Sequence, residues 1–205
     1  MVLFCSWETS NASSTPSSSI PPAARNWEGP VLVAPNGNRF RTTIYYGPWQ
    51  CTQAFMGDCR KRCTAQSYTL MGCIWLADLK MDWEGSLGFS PASGGTRFAV
   101  THCCCNYPTL TPAANALQRK KWEGFRDSFR KEWGKRFGQW PTDSSGNNWP
   151  AHHLRDLQHG GDPIDRENIF PTSPDIHDSF RDVYPQCYSG TGIWSTVGPQ
   201  KPYAD

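Results

Sequence analysis

Seven of the nine cysteines in this chain crowd into one stretch: Cys51, Cys59, Cys63, Cys73, Cys103, Cys104 and Cys105, with Cys5 and Cys187 outside it. Thiols at that density restrict the fold in one of three ways. In an oxidising space they close into disulfides, and an odd total leaves one free thiol or a bond to another chain. In a reducing space they stay as buried structural thiols. In either they could ligate zinc, although no CxxC pair occurs; Cys59-x3-Cys63 is the nearest approach, and His102 beside Cys103 could add a nitrogen. Spacing leaves all three open, with disulfides the leading reading.

The sequence around these cysteines is β-rich. Short apolar runs at 31–34, 42–46, 73–77 and 97–101 are punctuated by Pro35-Asn36-Gly37, Gly47-Pro48, Gly85 and Gly94-Gly95. The pattern predicts a compact, mainly β, cysteine-tied module over 28–110, of unknown role and without a catalytic constellation. Ahead of it, residues 8–25 are rich in Ser, Thr and Pro and cannot bury a core, so 1–27 reads as a flexible arm or linker. The 205 residues suffice for one sizeable core or two small domains, and ten tryptophans and ten phenylalanines exclude a wholly disordered chain. No run of about 18 apolar residues exists, so no membrane span is expected. Residues 1–5 are too short for the apolar part of a signal peptide and lack a basic leader. That leaves the cytoplasm, export without a cleaved signal, or a larger parent chain.

Residues 111–140 change character. Thr111 can cap a helix and Pro112 suits its first position. Trp122, Phe125, Phe129, Trp133, Phe137 and Trp140 then recur at steps of three and four, one stripe of a long amphipathic helix. The opposite face carries Arg119, Lys120, Lys121, Arg126, Arg130, Lys131, Lys135 and Arg136 against Glu123, Asp127 and Glu132. The formal charge of the whole chain is only +2, so this local excess is what raises a phosphate-facing surface as a rival to a solvated face.

Four of the five histidines lie in the segment that follows, 149–184. It presents Ala151-His152-His153, then Gly160-Gly161, then Asn168-Ile169-Phe170-Pro171, then a helix start at Ser173-Pro174-Asp175 bearing His177. Neighbours on a strand face opposite ways, so His152 and His153 suit two different tasks. Ile176, Phe180 and Tyr184 form the apolar stripe of the helix, which leaves His177 off the core face in the opening turn, with Arg181 one turn on beside it. Phosphodiester hydrolysis needs a proton acceptor for water and positive charge at the phosphate; neutral imidazole supplies the first near neutral pH and a divalent ion the second. Arg181 would then touch the phosphate or the leaving group.

This segment resembles the HNH/endonuclease VII (His-Me finger) superfamily, and more closely the AHH/GHH-type nuclease domains of bacterial polymorphic toxins. The resemblance implies a ββα-metal unit in which His152 and His177 bind one divalent ion (Mg2+, or Zn2+, Ni2+ or Mn2+). It makes His153 the general base and Asn168 the residue that bonds the loop backbone and holds the base in place. The expected fold is therefore α+β: a cysteine-rich, mainly β module, a long amphipathic helix, and a C-terminal nuclease domain over 111–205 with its catalytic core at 149–184. The expected activity is that of a metal-dependent endonuclease, a DNase of little sequence preference with RNA possible. Arg155, Arg166, Lys120, Arg126 and Arg130 are candidate nucleic-acid contacts. The resemblance further implies a secreted or injected antibacterial effector that acts in the target-cell cytoplasm and is neutralised in its producer by an immunity protein. The cysteine-rich front half fits no pattern of that family. His159 reads as a surface or substrate contact and His102 as structural. The reading from another class is a non-catalytic, zinc-stabilised module that binds nucleic acid or protein.

Overall fold

The computed structural model describes residues 26–28, 32–33, 39–84, 96–137 and 139–200. The expected arm at 1–27 lies outside the described residues, except for Asn26 and Trp27, which belong to a strand; Cys5 and the turns at 35–37, 85 and 94–95 also lie outside the described residues. The chain is mixed α+β. Five strands form an antiparallel sheet: β1 (Asn26–Glu28), β2 (Leu32–Val33), β3 (Arg39–Gln50), β4 (Leu70–Glu84) and β5 (Thr96–Cys105). β3 and β4 pair side by side, β5 flanks β4, and β1 and β2 both pair with β3. The run at 73–77 is central to β4 and continuously apolar because both of its faces are covered.

The two faces differ in what covers them. Tyr45, Trp49, Cys73, Trp75 and Cys103 face α1 (Gln53–Ala65), which adds Met56 and Cys59. Ile44, Tyr46, Ile74, Leu76 and Cys104 face α3 (Pro174–Tyr188), which adds Ile176, Phe180, Tyr184 and Cys187. The cysteine run Cys103-Cys104-Cys105 follows the same alternation. Cys103 and Cys105 bond Cys59 and Cys63, four residues apart on one face of α1. Cys104 points the other way and bonds Cys187 of α3, and Cys51 bonds Cys73 across β3 and β4. All eight sulfurs are thus in disulfides, which excludes zinc thiolates built from these cysteines. The helix α1 is an element of this module that the expectation of a mainly β unit did not include; Thr52 caps it, its hydroxyl accepting from Phe55 N at 3.2 Å.

α2 (Pro112–Phe137) begins where Thr111 accepts from Ala114 N at 3.2 Å. It ends before Trp140, which nevertheless packs on Phe129 and Trp133. Two short strands follow, β6 (Ala151–His153) and β7 (Ile169–Pro171), paired antiparallel with His152 opposite Phe170 and His153 opposite Ile169. Phe129, Trp140 and Ile169 make a core between α2 and this ribbon, with Trp122, Phe125, Trp133 and Ala151 at its edge. On the other side, Phe170 joins the core of α3 and the large sheet. Residues on both sides of position 110 therefore share one core and one disulfide. Two side chains of the large sheet fasten the ribbon: Tyr46 donates to the Pro171 carbonyl and His102 Nδ1 to the Leu154 carbonyl. Among the described residues no helix is long and apolar enough to cross a membrane.

Candidate functional site

The ribbon sends its two histidines to opposite sides. His152 turns toward α3, its ring 5.0 Å from Phe180 and 5.6 Å from His177, and its Nε2 meets the Tyr184 hydroxyl. That hydroxyl also donates to the His153 carbonyl at 3.5 Å. His153 turns toward α2, edge-on to Trp122 at 5.2 Å. Its Nε2 lies 3.3 Å from the Pro163 carbonyl. A carbonyl can only accept, so Nε2 carries the proton and Nδ1 holds the lone pair.

The loop between the strands is built around Asn168. Its Oδ1 accepts from Arg155 N at 2.8 Å, and its Nδ2 donates to the carbonyls of Arg155 and Asp162 at 3.1 and 3.0 Å. Those bonds fix both ends of the excursion that carries Pro163 over His153. Asn168 ends a 3-10 turn (Arg166–Asn168) immediately before β7. The first turn of the loop (Leu157–His159) is capped by Asp156, whose Oδ1 accepts from His159 N at 3.1 Å. Gly160 closes it with φ 75°, and a Cβ on Gly161 would come within 1.9 Å of the Arg155 carbonyl oxygen. The Gly-Gly pair is thus a backbone requirement of this loop.

Burial pushes the His152 pKa well below its ordinary value, with His177, His102 and His153 adding to the effect. His153 is lowered by burial, then by the charges of His177 and Arg119, against the pull of the Pro163 hydrogen bond. His177 is lowered by burial, with Arg181 and Arg119 adding and Asp178 opposing. All three imidazoles are therefore neutral near pH 7, with lone pairs free for a proton or a cation. His177 is the most open of them, its side chain 35% exposed. Among the described residues no group of three or more His, Cys, Asp or Glu is placed to hold a metal ion.

The remaining sequence candidates separate into two groups. Arg181 is exposed beside His177, 3.4 Å from Asp178 and 3.7 Å from Asp182. Lys120 is exposed on α2. Arg126 and Arg130 both lie near Asp127, at 3.7 and 3.6 Å, and Arg130 also covers Trp140. Arg166 grips Glu132 through two bonds of 2.6 and 3.0 Å. Arg155 lies over the Tyr107 ring at 3.5 Å and donates to the His159 carbonyl at 2.8 Å. These bonds make Arg155 and Arg166 structural ties, because each guanidinium already has partners that a phosphate would have to displace. His159 is corrected in the same way: it stacks on Tyr188 at 3.8 Å and bonds Asp156 at 2.9 Å, so it braces the loop. Ser173 stands at the N-cap of α3, where the helix start was expected, and its hydroxyl donates to Asp175 at 2.5 Å rather than capping a backbone N–H.

Three participants were not visible in the sequence as such. The Tyr184 hydroxyl looked like one more apolar stripe position, yet it bonds His152. His102 stacks on Tyr184 at 4.1 Å, and burial lowers its pKa to about 4. Asp156 accepts from Tyr188 at 3.0 Å as well as from His159. Burial alone would raise its pKa, but the His159 bond and the charges of His102 and His159 hold it low. Beside the loop a cavity of about 610 Å3 opens, lined by Arg62, His102, Tyr107, Arg155, Asp162 and Asn168 among others; the three site histidines do not line it. No protein-family model, no curated protein and no solved structure matches the chain.

Proposed function

We propose that this chain is a metal-dependent endonuclease, with β6, β7 and α3 acting as a ββα-metal unit on nucleic-acid phosphodiesters. The observation that carries the reading is the state of His153. Its Nε2 proton is spent on the Pro163 carbonyl, burial keeps the ring neutral, and Nδ1 retains a lone pair able to take a proton from water. Asn168 supports that role by fastening the loop that presents the carbonyl.

The residues present fit a divalent ion to a defined extent. His152 and His177 are both neutral, and their ring separation of 5.6 Å lies within what two imidazoles span around a shared ion with bonds of about 2 Å. Tyr184 occupies His152 Nε2, which leaves Nδ1 as the ligating atom. Such an ion, its shell completed by water and phosphate oxygens, would polarise the phosphate and neutralise the departing oxygen. His152 and His177 bind and orient, His153 moves the proton, and Arg181 supplies positive charge next to His177. The zinc-module alternative draws no support from the cysteines, because those described are spent in disulfides.

A nucleic-acid backbone is the proposed substrate, with DNA the first class to test, since the basic residues of α2 offer phosphate contacts. The setting we propose is an exported antibacterial effector with a partner immunity protein. Four disulfides agree with passage through an oxidising compartment. Supercoiled plasmid and a labelled RNA, each incubated with Mg2+, Mn2+, Ni2+ or Zn2+ and with EDTA, test the reading. Cutting that needs a metal and stops in EDTA is expected; an intact substrate under every metal would overturn it.

A further inference from the structure

We infer that Arg119 is a substrate-phosphate contact that closes the site from the α2 side, opposite Arg181. The inference rests on the nuclease reading and singles out, from the basic residues of α2, the one that reaches the site itself. Trp122 fixes the geometry: its ring meets His153 edge-on at 5.2 Å, so the first half of α2 lies against the proposed base. Arg119 precedes Trp122 by three residues and is therefore its neighbour on α2, one turn nearer the N-terminus, which corrects its placement on the face opposite the aromatic stripe. The field of the guanidinium reaches both His153 and His177, which are held by different elements of the fold. Arg119 thus lies on the stretch of α2 that meets β6 through Trp122 and His153.

Its freedom separates it from the arginines at 126, 130, 155 and 166. Arg126 and Arg130 share Asp127, Arg166 is clamped by Glu132, and Arg155 lies on Tyr107. Arg119 is exposed and has no hydrogen-bond or ion-pair partner among the described residues. An exposed guanidinium one turn from the Trp122–His153 contact presents five N–H donors to an anion, in the fork that suits phosphate oxygens. With Arg181 on the other side of His177, a backbone phosphate would be gripped from two helices. That arrangement favours a polyanion able to span α2 and α3, hence a nucleic-acid strand over a small phosphate ester.

The test uses the full chain in four forms: wild type, Arg119→Gln, Arg119→Lys and Lys61→Gln. Lys61 lies on α1, so its replacement removes the same charge away from the site. Binding of a fluorescein-labelled DNA duplex is followed by anisotropy in EDTA across a range of KCl, and cutting of the same duplex is followed with metal. Arg119→Gln is expected to weaken binding about tenfold, to reduce the slope of log K against log salt by about one, and to slow cutting at least as much. Arg119→Lys should restore part of the loss, and Lys61→Gln should behave as wild type. Unchanged thermal unfolding would show that no fold defect is being read. If wild type binds and cuts but Arg119→Gln matches Lys61→Gln, the Arg119 assignment falls and the nuclease reading stands. If wild type neither binds nor cuts, both fall.

Discussion

Replacing Cys104 and Cys187 together by alanine should cost more stability than the missing sulfur contacts would suggest. The bond joins β5 to α3 across 83 residues, the longest separation among the four disulfides. None of the others shortens that loop, because Cys105, the nearest cross-linked neighbour, is tied back to Cys63. Loop-closure entropy at this length gives about 4.5 kcal/mol, and a chain of this size then loses about 10–15 °C in melting temperature. Both sulfurs are fully buried, so small cavities add to the loss. α3 carries His177, Arg181 and Tyr184, and its hold on the sheet would then rest on Ile176, Phe180 and Tyr184 with the partly buried Val183 and Tyr188. Urea unfolding of the oxidised wild type against the double variant measures the difference. A loss under about 1 kcal/mol would refute the reasoning, since chain closure would then contribute almost nothing to holding the helix.

Two further perturbations probe the supports of the site. His102 is buried with its pKa lowered from 6.5 to about 4, so the folded state holds fewer protons than the unfolded chain between those values. Stability is full above pH 6.5 and falls as the pH drops toward 4, by about 3 kcal/mol from this residue. Unfolding free energies from urea titrations of wild type and His102→Gln against pH should converge by that amount over this window, and parallel curves would contradict it. Asn168→Ala removes three bonds to the loop backbone and should cost about 3 kcal/mol. At a temperature where the variant remains folded by circular dichroism, its cutting rate should fall further than its stability, because the Pro163 carbonyl loses its anchor; a rate equal to wild type would separate the loop from the chemistry.

Much of this arrangement was legible in residue patterns. The stripe of α2, the alternation of His152 and His153, and the apolar face of α3 all follow from the periods of helix and strand. α1 was missed because only Met56, Cys59 and Cys63 are buried along its thirteen residues, too narrow a stripe to stand out. The available signal was the spacing of Cys59 and Cys63, four apart like one helix face, against Cys103 and Cys105, two apart like one strand face. That match pairs helix with strand and leaves Cys104 for the opposite side. The roles of Tyr184, Asp156 and Arg155 depended on contacts across 30 or more residues in the first two cases and on Tyr107 in the third, which no local pattern encodes. The cost of displacing bonded arginines likewise became visible only in three dimensions, and it set Arg155 and Arg166 apart from Arg119.

The central claim concerns a single proton on a single ring. Cutting of a labelled duplex by wild type and by His153→Ala, with binding of the same duplex in EDTA and metal binding measured in parallel, tests it most directly. The account expects His153→Ala to lose cutting by about a hundredfold or more while both binding constants stay near wild type. Cutting by His153→Ala at the wild-type rate would contradict it, because the lone pair on Nδ1 would then have no part in the reaction.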